Sequence, residues 1–475
     1  MNNQFIFKLF ICILFVLNGQ LCHSRNIIVD TDTKRYIDSY GREMYFHGVN
    51  VVVKEPPWTP LLNITNYQLM QEWGLNSIRL GVMWAGVTPE VRGEYNQTYL
   101  DYISNLVEVM GEYNIFTLVD CHQDLYSWVY CGDGAPAWAS SIPTEGIGMF
   151  PEPLSKPFVI NTTDLVPSNQ DCGLHSWSSY YFSDAVSKAF QNLYDNVDGI
   201  QDEFSNYWQQ VVQTLKDSQY VLGYELINEP WAGDIYRDPL LMVPETADKI
   251  NLAPMYERLS KDIRSIDPDH IIFFESVTWD EYGVGFDTVP GGNDWRNLST
   301  LSYHYYVPPD FSIKEIMWAR MRDLEKLGTA GFLTEFGGPQ VGDPQAMIQV
   351  LEETDLNLQS WMLWVYDSLF NDNGEPNPEQ IKIFSRTYPQ YVSGTTKSMS
   401  FNTTSGEFSM VYTMNPNIQE PTEIYLNENV HYPNGYTFTV SPSKDVVIAS
   451  TQTNRLLLTN NNNQPIDVTI TITAN

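Results

Sequence analysis

Cysteine is scarce in this chain, with five residues in 475, and two of them, Cys12 and Cys22, fall within the first 24. That excludes a small disulfide-framework protein, since a chain this long buries enough apolar surface without staples. Basic residues are also few: 26 Lys and Arg stand against 58 Asp and Glu, for a formal net charge of −32. A surface so acidic repels nucleic acid and anionic headgroups, so no nucleic-acid partner is expected. It suits an acidic compartment, where protonation relieves the self-repulsion. Beyond the amino terminus no stretch reaches the ~18 uninterrupted apolar residues of a membrane-spanning helix. A phosphate loop, a dinucleotide fingerprint and a metal-ligand cluster are missing too, so the sequence implies no cofactor and no metal.

What is present begins with Lys8 inside a short apolar run, Phe5 to Leu17, followed by Cys22-His23-Ser24. The run is short for a bilayer, and small residues at 22 and 24 suit a signal peptidase, so residues 1–24 read as a signal peptide, with an uncleaved anchor as the alternative. The mature chain is expected to be secreted or to reside in a lysosomal or endosomal lumen. Asn-X-Ser/Thr acceptors at Asn63, Asn96, Asn161, Asn297 and Asn402 are expected glycosylation sites.

From residue 45 to 366, short β-branched and aromatic runs alternate with helical periodicity. Strands are expected at Tyr45–Val52, Ser77–Met83, Ile115–Cys121, Val221–Glu229, Ile271–Ser276, Leu301–Tyr306, Phe332–Phe336 and Ser360–Val365. Runs such as Ile115-Phe116-Thr117-Leu118-Val119 are apolar almost throughout, as parallel strands covered on both faces are. The fold class is therefore α/β: a (β/α)8 barrel over residues 25–384. The stretch from about Tyr126 to Tyr181, rich in Gly, Pro, Ser and Trp, reads as a long excursion on the catalytic face. Cys131 and Cys172 both lie in it and are expected to pair, leaving Cys121 a buried free thiol. After Ser385 the helical period disappears, and alternating segments between turn clusters predict a small all-β sandwich over 385–475. Its expected role is support, with carbohydrate or transient membrane-surface contact as open alternatives.

Two acids stand at expected strand ends. Glu229 precedes Pro230, which stops the strand, and Glu335 precedes Gly337-Gly338. Alone, either is as well read as a structural ion-pair acid. Together, at the ends of the fourth and seventh strands of one barrel mouth, they supply what glycoside hydrolysis with retention needs, an acid and a nucleophile about 5–5.5 Å apart.

With these acids the chain resembles glycoside hydrolase family 5. The resemblance implies Glu229 as acid/base and Glu335 as nucleophile. It further implies substrate-site roles for Arg79, which hydrogen-bonds the nucleophile, for His122, for Asn228 at the sugar 2-hydroxyl, for His304 with Tyr306, and for Trp364 as the floor of the sugar subsite. A narrower resemblance to the endoglycoceramidase branch rests on several motifs. They are His47-Gly48-Val49-Asn50 leading to Lys54, Asp120-Cys121-His122-Gln123-Asp124, Gly132-Asp133-Gly134-Ala135-Pro136-Ala137-Trp138, Tyr224-Glu225-Leu226-Ile227-Asn228-Glu229-Pro230 and Thr387-Tyr388-Pro389. It implies that Lys54, Asp120 and His122 hold the glucose hydroxyls and that the substrate is a glycosphingolipid, cut between oligosaccharide and ceramide by double displacement. An apolar trough for ceramide is expected from Pro239–Val243 and Tyr305–Trp318, with Leu241 and Ile316 in its lining. Another family 5 β-glycosidase (glucosylceramidase, steryl-glucosidase or β-glucanase) and a non-catalytic glycan-binding barrel remain the alternatives.

Overall fold

In the computed structural model, which describes residues 27–140, 150–159, 166–444 and 446–475, three short strands precede the barrel: β1 (Ile28–Asp30), β2 (Arg35–Ile37) and β3 (Glu43–Met44). The segment read as a signal and the acceptor Asn161 lie outside the described residues. The barrel strands are β4 (His47–Val51), β5 (Ser77–Gly81), β6 (Phe116–Asp120), β7 (Val221–Glu225), β8 (Ile271–Glu275), β9 (Ser299–Tyr305), β10 (Ala330–Phe336) and β11 (Ser360–Leu363). They are parallel, run in chain order around the barrel, and close where Trp361 of β11 pairs with His47 of β4. Their residues are buried almost without exception, because helices cover the outer face and side chains fill the lumen.

The lumen is sorted along the barrel axis. At the amino-terminal end, Phe46, Phe116, Phe273 and Phe332 pack around Tyr36 of β2, whose ring lies 5.5 Å from Phe46 and 6.0 Å from Phe332. Aromatic packing therefore plugs the bottom, and the polar residues of the barrel collect at the carboxyl-terminal mouth.

The remaining strands are β12 (Tyr388–Val392), β13 (Gly394–Phe401), β14 (Phe408–Met414), β15 (Thr422–Tyr425), β16 (Tyr436–Ser441), β17 (Val446–Gln452), β18 (Arg455–Asn460) and β19 (Ile466–Ala474). They form two antiparallel sheets, ordered β1-β2-β3-β12-β15-β18-β17 and β13-β14-β19-β16. Strand β14 alternates buried and half-buried residues, as a strand with one face in a sandwich core must. The first 20 described residues thus belong to the sheet of the second domain as much as to the barrel, which a division at residue 385 does not capture. Met44 pairs with Tyr391, more than 300 residues away.

The two domains are fastened by specific contacts. Buried Arg386 pairs with Asp355 and donates to the Phe401 carbonyl. Tyr388 stacks on His47 at 3.5 Å and donates to the Gly74 carbonyl at 2.7 Å.

The excursion after β6 is built from short 3-10 turns, Trp128–Tyr130, Ala137–Ala139 and Trp177–Phe182, and a helical turn, Asn169–Cys172. Cys131 and Cys172 are bonded, and Cys121 is a buried free thiol. Of the acceptor asparagines, Asn63 and Asn96 cap helices, their Oδ1 atoms accepting from the Thr65 and Tyr99 amides. Asn63 and Asn402 are exposed, Asn96 and Asn297 half-buried.

Candidate active site

Arg79, in the middle of β5, is fully buried and organises the mouth. Its Nη1 donates to Glu335 Oε1 at 2.5 Å and to Asn50 Oδ1 at 3.0 Å. Its Nε donates to Glu225 Oε2 at 2.5 Å, and its Nη2 donates to Asn228 Oδ1 at 2.9 Å and lies 3.0 Å from Asp120 Oδ1. Burial works against the charge, but Asp120, Glu225 and Glu335 outweigh it and hold the guanidinium well above its ordinary pKa. One fork thereby joins β4, β5, β6, β7 and β10, a rigidity that lysine's single ammonium lacks.

Glu335 is aimed by an irregularity in its own strand. The β9–β10 register shifts between Leu333 and Glu335, and the Thr334 carbonyl accepts from Asn50 Nδ2 at 2.9 Å. Such a bulge turns the next side chain into the mouth. Glu335 Oε2 accepts from the Tyr306 hydroxyl at 2.8 Å, so both carboxylate oxygens are held. Gly337 follows at φ +114°, where a Cβ would meet the Trp364 carbonyl at 3.0 Å.

Glu229 sits just beyond β7 with φ +40°, unusual for any residue with a Cβ and more so before proline. Its carbonyl accepts from Gln123 Nε2 at 3.0 Å, its amide donates to Glu275 Oε2 at 2.8 Å, and its Oε1 lies 2.8 Å from His304 Nδ1. Burial, with Asp124 nearby, pushes its pKa up to about 7, and burial lowers that of His304. Glu229 therefore keeps a proton where a surface glutamate would have lost it. Carboxyl oxygens of Glu229 and Glu335 come within 4.8 Å of each other, with His304 Nδ1 3.6 Å from Glu335.

A second cluster lies beside the pair. Lys54 bonds Asp124 and lies 3.6 Å from Asp133, with its ammonium 5.1 Å from the Trp364 ring centre. Trp364 stacks on His122 at 5.3 Å. His122 Nδ1 is 2.8 Å from Asp120, and although burial opposes protonation, that hydrogen bond and charge raise its pKa to about 10. His122, Asp124 and Asp133 are close enough to ligate a metal, but the Lys54 and His122 cations already meet the carboxylate charge there. Asp120 is fully buried beneath His122 and Arg79, so it orients His122 rather than facing a ligand. It is Asp124 and Asp133, quoted in the motifs but not assigned a role, that accompany Lys54. Glu225, Glu275, Gln123 and Asn50 were likewise not singled out. A signal existed for the glutamates, since each is an acid in an apolar strand.

The outer rim departs from expectation at two residues. Leu241 and Ile316 are 5% and 2% exposed and belong to the core. Leu241 turns inward within the 3-10 turn Pro239–Met242, and Ile316 shares the buried face of the helix Ile313–Leu327 with Met317, Arg320 and Leu324. Leu240, Met242, Val243, Trp279 and Tyr282 are exposed instead, on the loops after β7 and β8. Trp279 and Pro308 line a pocket of about 40 Å³ that reaches Glu229 and Glu275. A cavity of about 620 Å³ lies at the other end of the barrel between Gln71, Asn114, Tyr391 and Arg455, away from these acids.

Residues 37–368 match the family described as cellulase (glycosyl hydrolase family 5), and residues 386–472 match the glycoside hydrolase family 5 C-terminal domain. The chain is 44% identical to an endoglycoceramidase of Hydra vulgaris, over 88% of this chain and 84% of that one. It is 42% identical to an endoglycoceramidase of Cyanea nozakii, over 88% of each. Among solved structures, the fold is similar to endo-glycoceramidase II from Rhodococcus sp. in its ganglioside GM3 complex, with TM-score 0.76 at 20% identity over 92% of this chain and 99% of that one. The same Rhodococcus protein as a lactosyl-enzyme intermediate gives TM-score 0.76 at 21% identity, with the same coverage.

Proposed function

From the premise that this chain belongs to glycosyl hydrolase family 5, and is a glycoside hydrolase of its endoglycoceramidase-like branch, we propose that it is a secreted, retaining endo-β-glycosidase that releases intact oligosaccharide from the ceramide of glycosphingolipids. The observation that carries retention is the approach of Glu229 and Glu335 to within 4.8 Å, the short spacing of a double displacement and not the wider gap that admits a water between acid and base. The Rhodococcus protein was captured as a lactosyl-enzyme intermediate, which supports the same course here.

In the first step, Glu229 gives its proton to the glycosidic oxygen while Glu335 Oε attacks the anomeric carbon and the C–O bond to ceramide breaks. Glu229, now a carboxylate, removes a proton from water, which attacks the same carbon from the face the ceramide left and frees Glu335. Arg79 and Tyr306 hold Glu335 in position, and Asn228 stands next to it for the 2-hydroxyl. Lys54, Asp124, Asp133 and His122 offer paired donors and acceptors for sugar hydroxyls over the Trp364 face.

Ceramide leaves toward the exposed apolar rim of Leu240, Met242, Val243, Trp279 and Tyr282. Each buried methylene contributes about 0.8 kcal/mol, so this rim also suits brief contact with a membrane surface during extraction. The complex of the Rhodococcus relative with ganglioside GM3 supports this substrate class. Hydrolysis of a ganglioside followed by proton NMR tests the reading. Ceramide and one intact oligosaccharide, first seen as the β-anomer, are expected. Stepwise loss of monosaccharides or initial α-anomer would overturn it.

A further inference from the structure

Glu275 ends β8 as a third acid of the mouth, and the family resemblance assigns it no role. Its side chain is 6% exposed, and among the described residues the basic side chain beside it is His304, at 3.5 Å from Oε1, whose own pKa burial lowers. Arg79 already faces Asp120, Glu225 and Glu335, and Arg320 bonds Asp323 and Glu281. A buried carboxyl without an adjacent Arg or Lys is costly, which argues against a role in stability alone.

What Glu275 does touch is Glu229. Its Oε2 accepts the Glu229 amide at 2.8 Å, while Oε1 approaches the His304 nitrogen that lies 2.8 Å from Glu229 Oε1. The Glu229 backbone needs such a clamp, because φ +40° before Pro230 is disfavoured twice over. The clamp itself is fixed: the Glu275 carbonyl accepts from the Tyr256 hydroxyl at 2.8 Å. We propose that Glu275 is a positioning residue for the acid/base, locking the main chain of Glu229 and sharing His304 with its carboxyl so that the Glu229 carboxyl points at the glycosidic oxygen. This rests on the reading of Glu229 as the acid.

The electrostatics agree. Burial, then the charges of Glu229 and Glu225, raise the Glu275 pKa well above the usual range, against the opposing pull of Arg79. Across the pocket of about 40 Å³ stand Asp280, Glu281 and Arg320. Glu275 therefore keeps its proton well beyond the usual carboxylate range and acts on Glu229 through hydrogen bonds, as a neutral group.

Glu229→Ala, Glu275→Ala and Glu275→Gln, compared on an alkyl β-lactoside and on 2,4-dinitrophenyl β-lactoside, test the proposal, because only the alkyl leaving group needs protonation. Glu229→Ala should lose about 1000-fold in kcat/KM on the alkyl substrate and less than about tenfold on the activated one. Glu275→Ala should show the same selectivity at about 100-fold against about threefold. Glu275→Gln keeps a neutral side chain with an acceptor for the amide, so it should stay within about fivefold of the wild type on the alkyl lactoside. If the alanine variant does not fold, Glu275→Met, which keeps the volume but offers the amide no oxygen, carries the test with the same selectivity expected. Equal losses on both glycosides in Glu275→Ala or Glu275→Met, or a Glu275→Gln as impaired as the alanine variant, overturn the positioning role. Absence of selectivity in Glu229→Ala would remove the acid itself, a separate failure.

Discussion

Arg79 balances three carboxylates with one guanidinium, and its geometry matters as much as its charge. Arg79→Lys keeps the cation but cannot reach Glu225, Glu335, Asp120 and Asn228 together. We expect kcat/KM on an aryl β-glycoside to fall by about 100-fold or more, with a far-ultraviolet CD spectrum like the wild type's. A fall of less than about threefold would show that charge alone suffices. Glu229 gives a second expectation at this scale. With its pKa pushed up to about 7 by burial and by Asp124, the protonated, active form persists through mildly acidic pH and is lost as pH rises through that value. The kcat/KM of a substrate with a poor leaving group should therefore fall about tenfold per pH unit above pH 7. A limb near pH 4.5 would mean that the mouth does not shelter this proton.

At the scale of elements, the barrel was legible because several of its strands are apolar on both faces and four of them, β6, β7, β8 and β10, carry an acid at or next to the carboxyl end, so that type and chemistry coincide in one pattern. Glu229 and Glu335 could be read from the strand ends that carry them. Strands β1 to β3 could not: two or three residues long, they owe their existence to partners near residue 390 and to the Tyr36 side chain among barrel phenylalanines, and they leave no period of their own. The rim was half legible. Composition marked Pro239–Val243 as apolar, but only the turn geometry decides that Leu240 faces out and Leu241 in. Leu240→Asp with Tyr282→Asp should therefore raise KM for a glycosphingolipid by about tenfold or more, the loss of two apolar contacts, and leave an aryl glycoside unchanged. Equal change on both substrates would detach this rim from the lipid. The excursion adds a prediction that residue counting alone supports. The Cys131–Cys172 bond closes a separation of 41 residues. Cys131→Ser with Cys172→Ser should cost roughly 4 kcal/mol in the chain-entropy picture. Because Asp133 lies two residues past Cys131 and faces Lys54, the double variant should also raise KM, a change that reduction of the wild type by dithiothreitol should reproduce.

Across the whole molecule, acid is gathered at two depths. Most of the net charge of −32 lies on a repelling surface, while Asp133, Glu225, Glu229, Asp248 and Glu275 are buried carboxyls whose pKa values are raised by burial, to about 7 for Asp133, Glu229 and Asp248. A carboxyl raised in the folded state holds a proton that the unfolded chain gives up near pH 4, so its stabilisation is present at low pH and fades as pH rises through the folded value. His122, raised to about 10, acts in the same sense above pH 6.5. His47 and His431, lowered by burial, act oppositely, but only below about pH 6.5, where the unfolded chain protonates them first. Between pH 6.5 and 8 the buried carboxyls, His122 and surface repulsion thus all favour the more acidic condition. The Tm should be higher at pH 6 than at pH 8 by about 5 °C or more, and added salt should narrow the gap only partly, since it screens the surface but not the buried protons. Calorimetry at the two pH values with and without 0.5 M NaCl, about five times the salt of a ten-ångström Debye length, separates the contributions. A gap abolished by salt would assign the whole effect to the surface, and a Tm that rises toward pH 8 would mean that the buried acids are ionised in the folded protein.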